Sequence, residues 1–414
     1  MISYIEALEK ITGAVTPRAA SERTLGNLQG CATAADVISR LNVPPFDNSA
    51  MDGFAVRAAE TAQAGVTGPL ELAVVGLIAA GDPPPTEELT EGSVEIMTGA
   101  PMPPGCDAVV PIERVEVSQD ETGGIQSIRL SEPVESGRNV RLASQDFCVE
   151  QAVLASGSLI EPHAVMGLAA TGTAALPTRG APRIAVITTG SELTSAATPA
   201  QEGLICDSSG PYLEAFINHI HATLSSRRNV PDSIKRLEHA IAEAGDDADI
   251  VLTTGGVSAG RFDLVPDAVR AIDGEVLFHK VSIRPGKPLL FARLPRGNLL
   301  FGLPGNPIAV AACMRFFVMP AMLRMQGLRP ERHHVARLHE SFEKPAALRF
   351  FGKANAQIDA EGRMEVRLLP GQESFRISPL VKANCWAILD DGQARFEAGQ
   401  LIRVAPLYPT GFLQ

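Results

Sequence analysis

Several protein classes are excluded by what this chain does not contain. It has no run of about 18 apolar residues, so no membrane span is expected. The longest candidate apolar run, residues 308–323, is broken by Arg315 and Pro320 and reads as a buried helix. Met1 to Lys10 mixes acids with apolar residues and lacks the basic start and apolar block of a secretory signal. The six cysteines (Cys31, Cys106, Cys148, Cys206, Cys313, Cys385) are scattered, with no CxxC pair. That predicts reduced thiols and a cytoplasmic location rather than a disulfide framework or a zinc site. Positive charge is in deficit: 36 Lys+Arg face 47 Asp+Glu, a formal net charge of −11. A protein that coats nucleic acid by charge alone is disfavoured, although a local basic pocket is not. No two glycines are spaced GxG and there is no GxxxxGK[ST], so the dinucleotide fingerprint and the P-loop are both absent. No metal-binding spacing links the eight histidines. His219 and His221 fall two apart on an expected helix and point apart, and His333-His334 is expected at the surface.

What remains is the composition of a soluble globular protein, 45% apolar and 20% charged over 414 residues. At roughly 150 residues per domain this is two to four domains. The chain opens with an expected helix: Ser3 and Glu6 have capping-box spacing, and Ile5, Leu8 and Ile11 share a face. Residues 42–140 show little helical periodicity. Short β-type runs (70–77, 93–97, 108–111, 125–130) alternate with Pro/Gly punctuation and read as a β-rich insert. From about residue 181 the pattern becomes strand–loop–helix. A strand over 183–189 precedes a helix start at Asp207-Ser208-Ser209, and a second helix carries Ile234, Leu237 and Ile241 on one face. A strand over 248–254, a helix near 264–272, strands near 276–283, 288–293 and 298–302, and a long helix after Pro307 follow. This predicts a parallel or mostly parallel sheet covered by helices. After Pro330, short runs (335–338, 364–368, 387–389, 401–404) predict a small β domain, with Trp386 in its core.

In an open α/β sheet, ligands bind beyond the C-terminal strand ends. Three glycine loops fall there: Thr188-Thr189-Gly190-Ser191-Glu192, residues 253–263 with Gly255, Gly256, Ser258 and Asp263, and Gly302-Leu303-Pro304-Gly305-Asn306-Pro307. Glycines let backbone N–H groups approach an anion, and a helix start adds partial positive charge. One such loop is as readily an ordinary tight turn. Three on one edge point to a phosphate-bearing ligand. A fourth loop, residues 280–288, adds Lys280, Arg284 and Lys287 around a Pro-Gly turn. Lys280 and Arg284 are expected on one side of an extended segment, suited to a phosphate or another tetrahedral oxyanion, with a solvated basic rim as the alternative. Oxygen ligands suit Mg²⁺ shared with substrate phosphates. Glu192 and Asp263 are the candidates on the sheet, with Asp52 and Asp146 outside it. Cys206, ahead of a helix start, has no paired His and is assigned a structural role.

These segments together resemble the molybdopterin molybdenumtransferase family, which includes the gephyrin E domain. The resemblance is carried by Pro45-Phe46-Asp47-Asn48-Ser49-Ala50-Met51-Asp52-Gly53, Met97-Thr98-Gly99-Ala100-Pro101, Asp107-Ala108-Val109-Val110 and Gly137-Arg138-Asn139-Val140-Arg141 ahead of Asp146. It continues through Thr189-Gly190-Ser191-Glu192-Leu193, Gly255-Gly256-Val257-Ser258 ahead of Asp263, Pro285-Gly286-Lys287-Pro288, and the Gly-Leu-Pro-Gly-Asn-Pro segment at 302–307. The order is the family's and the match covers nearly the whole chain. It implies a multidomain fold, α/β plus β: a discontinuous N-terminal domain (1–44 and 138–180), a β-rich insert (45–137), an α/β three-layer molybdopterin-binding domain (181–328) and a C-terminal small β-barrel (329–414). It also implies a homodimer with the active site between the α/β domain of one subunit and the insert of the other.

The implied reaction takes adenylylated molybdopterin and molybdate, uses a divalent metal, Mg²⁺, and releases AMP as molybdenum binds the dithiolene. The upstream molybdopterin adenylyltransferase and recipient molybdoenzymes are the implied partners. Asp52, Asp146, Glu192 and Asp263 match the family's functional acids, with Asp52, Glu192 and Asp263 as metal ligands. Lys280 and Arg284 match two functional basic positions, the second usually Lys. Thr98 and the glycine-loop residues Gly190, Ser191, Gly255, Gly256, Ser258, Pro304, Gly305 and Asn306, with Lys287, are expected to bind the substrate.

The chain departs from the family pattern in places. Arg228, Asn229 and Val230 precede Pro231 where acids are usual, and the stretch from Asp207 to Pro231 is short, which predicts a trimmed strand. Gln145 stands for Glu, Phe54 for Tyr, and residues 346–353 lack the usual Arg pattern. Two other readings stay open: a non-catalytic paralogue that binds or carries molybdopterin, marked by the substitutions at 228–230, and an adenylyl-transferring relative, which the extra domains and residues 48–53 disfavour.

Overall fold

The computed structural model describes all residues except 67, 122, 199–200, 258–263, 345–347 and 410–414. It divides into two compact units. One comprises Met1–Ala35, Ser156–Glu161 and Pro177–Gln414; the other comprises Asp36–Ala155 and Pro162–Leu176.

The first unit is organised by a six-stranded sheet in the order Thr223–Val230, Arg183–Thr189, Ile250–Thr254, Leu299–Leu303, Leu290–Arg293, Glu275–His279. The first four strands are parallel and the last two are antiparallel to their neighbours. Side chains alternate across the sheet with period two. Ile184 and Val186 pack on Leu213, Phe216 and Ile217 of helix Ser209–His219, while Ala185 and Ile187 pack on Leu237, Ala240 and Ile241 of helix Ile234–Asp247. Both faces are covered, which is why the central strands Arg183–Thr189, Ile250–Thr254 and Leu299–Leu303 read as apolar runs. Each fully buried Ile, Leu or Phe contributes about 1.5–3 kcal/mol.

The edge strand Thr223–Val230 is not trimmed. It pairs along the whole of its neighbour, from Arg183↔Thr223 to Thr189↔Val230. Helix Ser209–His219 is followed directly by a turn in which His221 adopts a left-handed φ of 55°. His221 therefore lies beyond the helix rather than on it, and its ring meets Gln29.

Helix Tyr4–Ala14 starts as expected, with both hydrogen bonds of the Ser3–Glu6 capping box in place. Its buried face is set by Tyr4, Ala7 and Ile11, and Ile5 is exposed. The Tyr4 ring, edge-on to Phe317 and Phe351, rotates the helix so that Ile5 turns outward.

Helical structure runs through Pro307–Met325, the long buried helix expected after Pro307. Pro307–Cys313 is α-helical, Met314–Val318 forms a π-turn, and Met319–Met325 is α-helical again. In a regular α-helix Pro320 would leave the Phe316 carbonyl without its donor and crowd it. The wider turn immediately before it, with the Met319 N–H donating to Met314 O, absorbs that defect. By length and composition this stretch could cross a membrane, and 83% of it is buried within the fold. Arg315 is buried there and held by Glu331 through two bonds of 2.7 and 2.6 Å. His333 is half-buried beside this pair rather than at the surface, and burial pushes its pKa down to about 4.

The C-terminal region closes a five-stranded barrel: Arg349–Ile358, Met364–Leu368, His334–Leu338, Leu401–Pro406 and Cys385–Leu389, the last pairing back on the first. Trp386 is buried in it. Ile283–Arg284 adds to the barrel in parallel with Arg349 and Phe350.

The second unit holds a six-stranded sheet in the order Ala108–Pro111, Gly53–Val56, Ser93–Ile96, Leu70–Ile78, Ile125–Leu130, Glu116–Gln119, matching the runs read as a β-rich insert. Beside it, Asn48–Ser49 pairs with Val140–Arg141, and Val37–Ile38 with Ala152–Leu154.

Candidate functional site

Strand directions place five loops on one edge of the α/β sheet. The parallel strands end at Thr189, Val230, Thr254 and Leu303. Glu275–His279 runs with them, so the loop from His279 to Leu290 lies on the same edge. Gly190, Ser191, Glu192, Gly255, Gly256, Lys280, Arg284, Lys287, Pro304, Gly305 and Asn306 are therefore brought to one rim. Ser258 and Asp263 lie outside the described residues. Asp52, Thr98 and Asp146 belong to the other unit.

The loops are cross-tied. Thr189 Oγ1 donates to Thr254 O at 3.0 Å, and Gly255 N–H donates to Leu303 O at 3.1 Å. Gly255 has φ +86°, and a side-chain carbon there would fall 2.7 Å from Thr189 Oγ1. Only glycine fits that position. Gly190 has φ +144°, and a side-chain carbon would fall 2.7–2.9 Å from the Glu192 carboxylate, which folds back over it. Ser191 N–H and Oγ both face Asp232 Oδ2, at 3.2 and 3.4 Å. His279 Nε2 lies 2.7 Å from Val257 O, tying the start of the basic loop to the second glycine loop.

The basic loop is not an extended segment. Lys280 has a left-handed φ of 75°, and Val281 N–H donates to Lys287 O at 2.9 Å, closing the loop. Ile2 N–H and Ser282 N–H complete a two-bond tie to the N-terminus. The closure brings Lys280 and Lys287 to its two ends, with exposed Arg284 between them. Among the described residues none of these three cations makes an ion pair.

The third glycine loop is held by the barrel. Asn306 Nδ2 donates to Ser374 Oγ at 3.1 Å, and Ile308 N–H donates to Ser374 O at 3.3 Å. Residues 369–376 are anchored by Lys353, which is completely buried. Its Nζ donates to Glu373 O at 3.0 Å and Arg376 O at 3.2 Å. Among the described residues no carboxylate bonds this ammonium, and burial lowers its pKa to about 8.

In the second unit Asp52 and Thr98 come together: Thr98 N–H and Oγ1–H both donate to Asp52 Oδ1, at 2.7 and 2.8 Å. These two bonds hold the exposed carboxyl below its ordinary pKa. Asp146 is exposed on the return of the same ribbon, where Val43 bridges Phe147. Among the described residues no three His, Cys, Asp or Glu side chains gather as a metal cluster.

Sequence reasoning missed Asp232, His279, Ser374 and Lys353. Asp232 alone carried a local signal, as an acid placed just past a strand exit. Ser374 and Lys353 act through a loop some 70 residues away in sequence from the one they hold.

A helix-covered sheet whose exit edge carries glycine loops and unpaired cations, joined to a closed barrel and a separate β-rich unit, defines a multidomain protein that handles anionic ligands. Residues 2–172 match the MoeA N-terminal region (domain I and II), residues 185–324 a probable molybdopterin binding domain, and residues 335–407 the MoeA C-terminal region (domain IV). The chain is 34% identical over 414 residues to the molybdopterin molybdenumtransferase of Synechococcus elongatus, covering 98% of this chain and 100% of that one. It is 33% identical over 387 residues to that of Haemophilus influenzae, covering 92% and 93%. The solved molybdopterin biosynthesis moeA protein of Pyrococcus horikoshii OT3 superposes with a TM-score of 0.81 at 26% identity, covering 98% of this chain and 100% of that one. The chain belongs to the molybdopterin molybdenumtransferase family and is a transferase of molybdenum cofactor biosynthesis.

Proposed function

We propose that this chain inserts molybdenum from molybdate into adenylylated molybdopterin and releases AMP. The reading includes a homodimer in the cytoplasm, a substrate delivered by a molybdopterin adenylyltransferase, and a product passed to molybdoenzymes. The observation that carries it is the basic loop: Lys280, Arg284 and Lys287 share one closed loop at the strand-exit edge, and none has an ion-pair partner among the described residues. A pyrophosphate bridge and a tetrahedral oxyanion are ligands that such fixed cations and glycine-loop N–H groups favour. An oxygen from water or molybdate takes the phosphorus as the phosphoanhydride bond breaks and AMP leaves, and the dithiolene sulfurs replace molybdate oxygen, which departs as water with the thiol protons, so molybdenum keeps its oxidation state. Such a step needs charge stabilisation and alignment more than covalent help from the protein. No side chain is assigned as general base.

Mg²⁺ fits the chemistry of the donors, which are carboxylate oxygens. Glu192 is the described carboxylate on this edge that would hold it, and the ion would neutralise phosphate charge. Asp52, kept ionised by Thr98, is the corresponding acid of the second unit. Thr98, Gly190, Ser191, Gly255, Gly256, Lys287, Pro304, Gly305 and Asn306 remain the assigned substrate contacts.

The test is AMP release from adenylylated molybdopterin, with molybdate and Mg²⁺ each added or withheld. Release that needs both is expected. Tight binding of the substrate with no release would overturn the proposal in favour of a carrier.

A further inference from the structure

We propose that Asp232 is a positioning residue for the loop that carries Glu192, supplying beyond Pro231 the negative charge that residues 228–230 do not bring to the strand exit. The inference rests on the functional reading above and adds a residue to it.

The edge strand ends at the functional rim without presenting charge there. Arg227 pairs with Glu214 of helix Ser209–His219 at 3.2 Å. Arg228 pairs with Glu243 of helix Ile234–Asp247, on the opposite face. Val230 is buried. The first acid past the strand is Asp232. It directly precedes Ser233, the N-cap of the following helix, whose own side chain makes no cap bond. The Asp232 carboxylate is likewise not used on that helix. Its Oδ2 accepts from Ser191 N–H at 3.2 Å and from Ser191 Oγ–H at 3.4 Å.

One oxygen that accepts from both donors of Ser191 restrains the residue linking Gly190 to Glu192. Gly190 has φ +144°, and the Glu192 carboxylate lies folded over its Cα. The torsions at Ser191 thus set where the Glu192 carboxylate points. Both bonds are longer than an ideal charge-assisted bond of about 2.8 Å, so it is their pairing on one oxygen that restrains the residue.

Asp232→Ala and Asp232→Asn separate the possibilities. Asp232→Ala is expected to lower kcat for AMP release about tenfold or more, since a small misplacement of a reacting group costs up to about a hundredfold. The KM for adenylylated molybdopterin should stay within about threefold, because the substrate contacts themselves remain. Amide exchange at Ser191 in the substrate-free protein should speed up in the same variant. Asp232→Asn, which keeps an acceptor without the charge, should fall between it and the parent. Ser233→Ala, altering a side chain that caps nothing, should change neither readout. An Asp232→Ala protein with parental kcat, or with unchanged Ser191 exchange, overturns the proposal. If the parent itself releases no AMP, the functional reading fails separately and exchange decides: faster exchange upholds Asp232 as the positioning residue, and unchanged exchange overturns it.

Discussion

Replacing Lys353 with methionine should change the alkaline limb of stability in a predictable direction. The Lys353 ammonium is completely buried and, among the described residues, bonds only backbone carbonyls, and burial lowers its pKa from 10.5 to about 8. Below pH 8 the folded and unfolded chains both carry its proton, and the folded chain bears the full cost of burying the charge. Between pH 8 and 10.5 the folded chain has lost the proton while the unfolded chain keeps it. The unfolded state then binds more protons, so stability rises with pH across that window. A gap of about 2.5 pH units corresponds to about 3 kcal/mol. The buried thiols Cys313 and Cys385, whose pKa values are pushed up, act in the opposite sense, because unfolding lets them ionise. The quantity to measure is therefore the difference between parent and Lys353→Met, in which these terms cancel. Trp386, the one tryptophan, is the cross-strand partner of Lys353 and reports unfolding of the barrel by fluorescence. In urea at pH 7 and pH 10, the parent should gain about 2–3 kcal/mol relative to the variant. That is a relative midpoint shift of roughly 1–1.5 M for a slope near 2 kcal/mol/M. Midpoints that move in parallel would show that Lys353 does not titrate in this window, and would refute the reasoning.

Two further outcomes follow from single groups. His333 is held to a pKa of about 4 by burial, opposed by the Glu331 carboxylate and aided by Arg315, Arg403 and Arg349. As pH falls from 6.5 to 4 the unfolded chain protonates first, so stability is lost in that interval by up to about 3 kcal/mol. His333→Gln should flatten this part of a thermal-midpoint profile, and identical acid limbs would count against it. Thr98→Val removes one of the two donors on Asp52 Oδ1 and leaves the backbone N–H. The Asp52 carboxyl should titrate at higher pH, followed by carbon-detected NMR, and the acid limb of AMP release should move with it. A variant with an unmoved Asp52 titration would show that the hydroxyl bond is not made in solution.

The α/β unit was legible in the sequence because its signals are local. Thr189-Gly190, Thr254-Gly255 and Leu303-Pro304-Gly305 mark the strand exits directly, and the apolar runs before them come from burial on both faces. The longest barrel strand, Arg349–Ile358, gave no such signal. It buries Arg349 and Lys353 and contains Gly352, so its pattern is neither alternating nor apolar, although six of its ten residues are buried. Burial of these cations depends on Asp390, Asp391 and the carbonyls at 373 and 376, which lie far along the chain. The same limit applies to the site. Glu192 and the basic loop could be read locally, whereas Ser374 reaches Asn306 only because the barrel folds a distant loop onto it.

The substitutions at 228–230 show why counting charges near a motif misleads. In sequence they read as a reversal, with Arg228 close to where acids are usual, and that reading kept a carrier open as the alternative. On a strand, successive side chains leave on opposite faces. A charge at 227 is therefore sent to one helix layer and a charge at 228 to the other, whatever lies beyond the strand end. Glu214 and Glu243 meet them there. Neither guanidinium is free to place positive charge at the exit, so the arginines do not by themselves argue against catalysis. What the rim experiences depends on residues past the last paired position, Thr189↔Val230, where the backbone stops dictating alternate faces. Asp232 is the first charged residue past that point, and its carboxylate already faces the Glu192 loop through Ser191. At this strand exit the charge that faces the Glu192 loop is therefore that of Asp232, and the two arginines that first draw attention are paired on the helix layers.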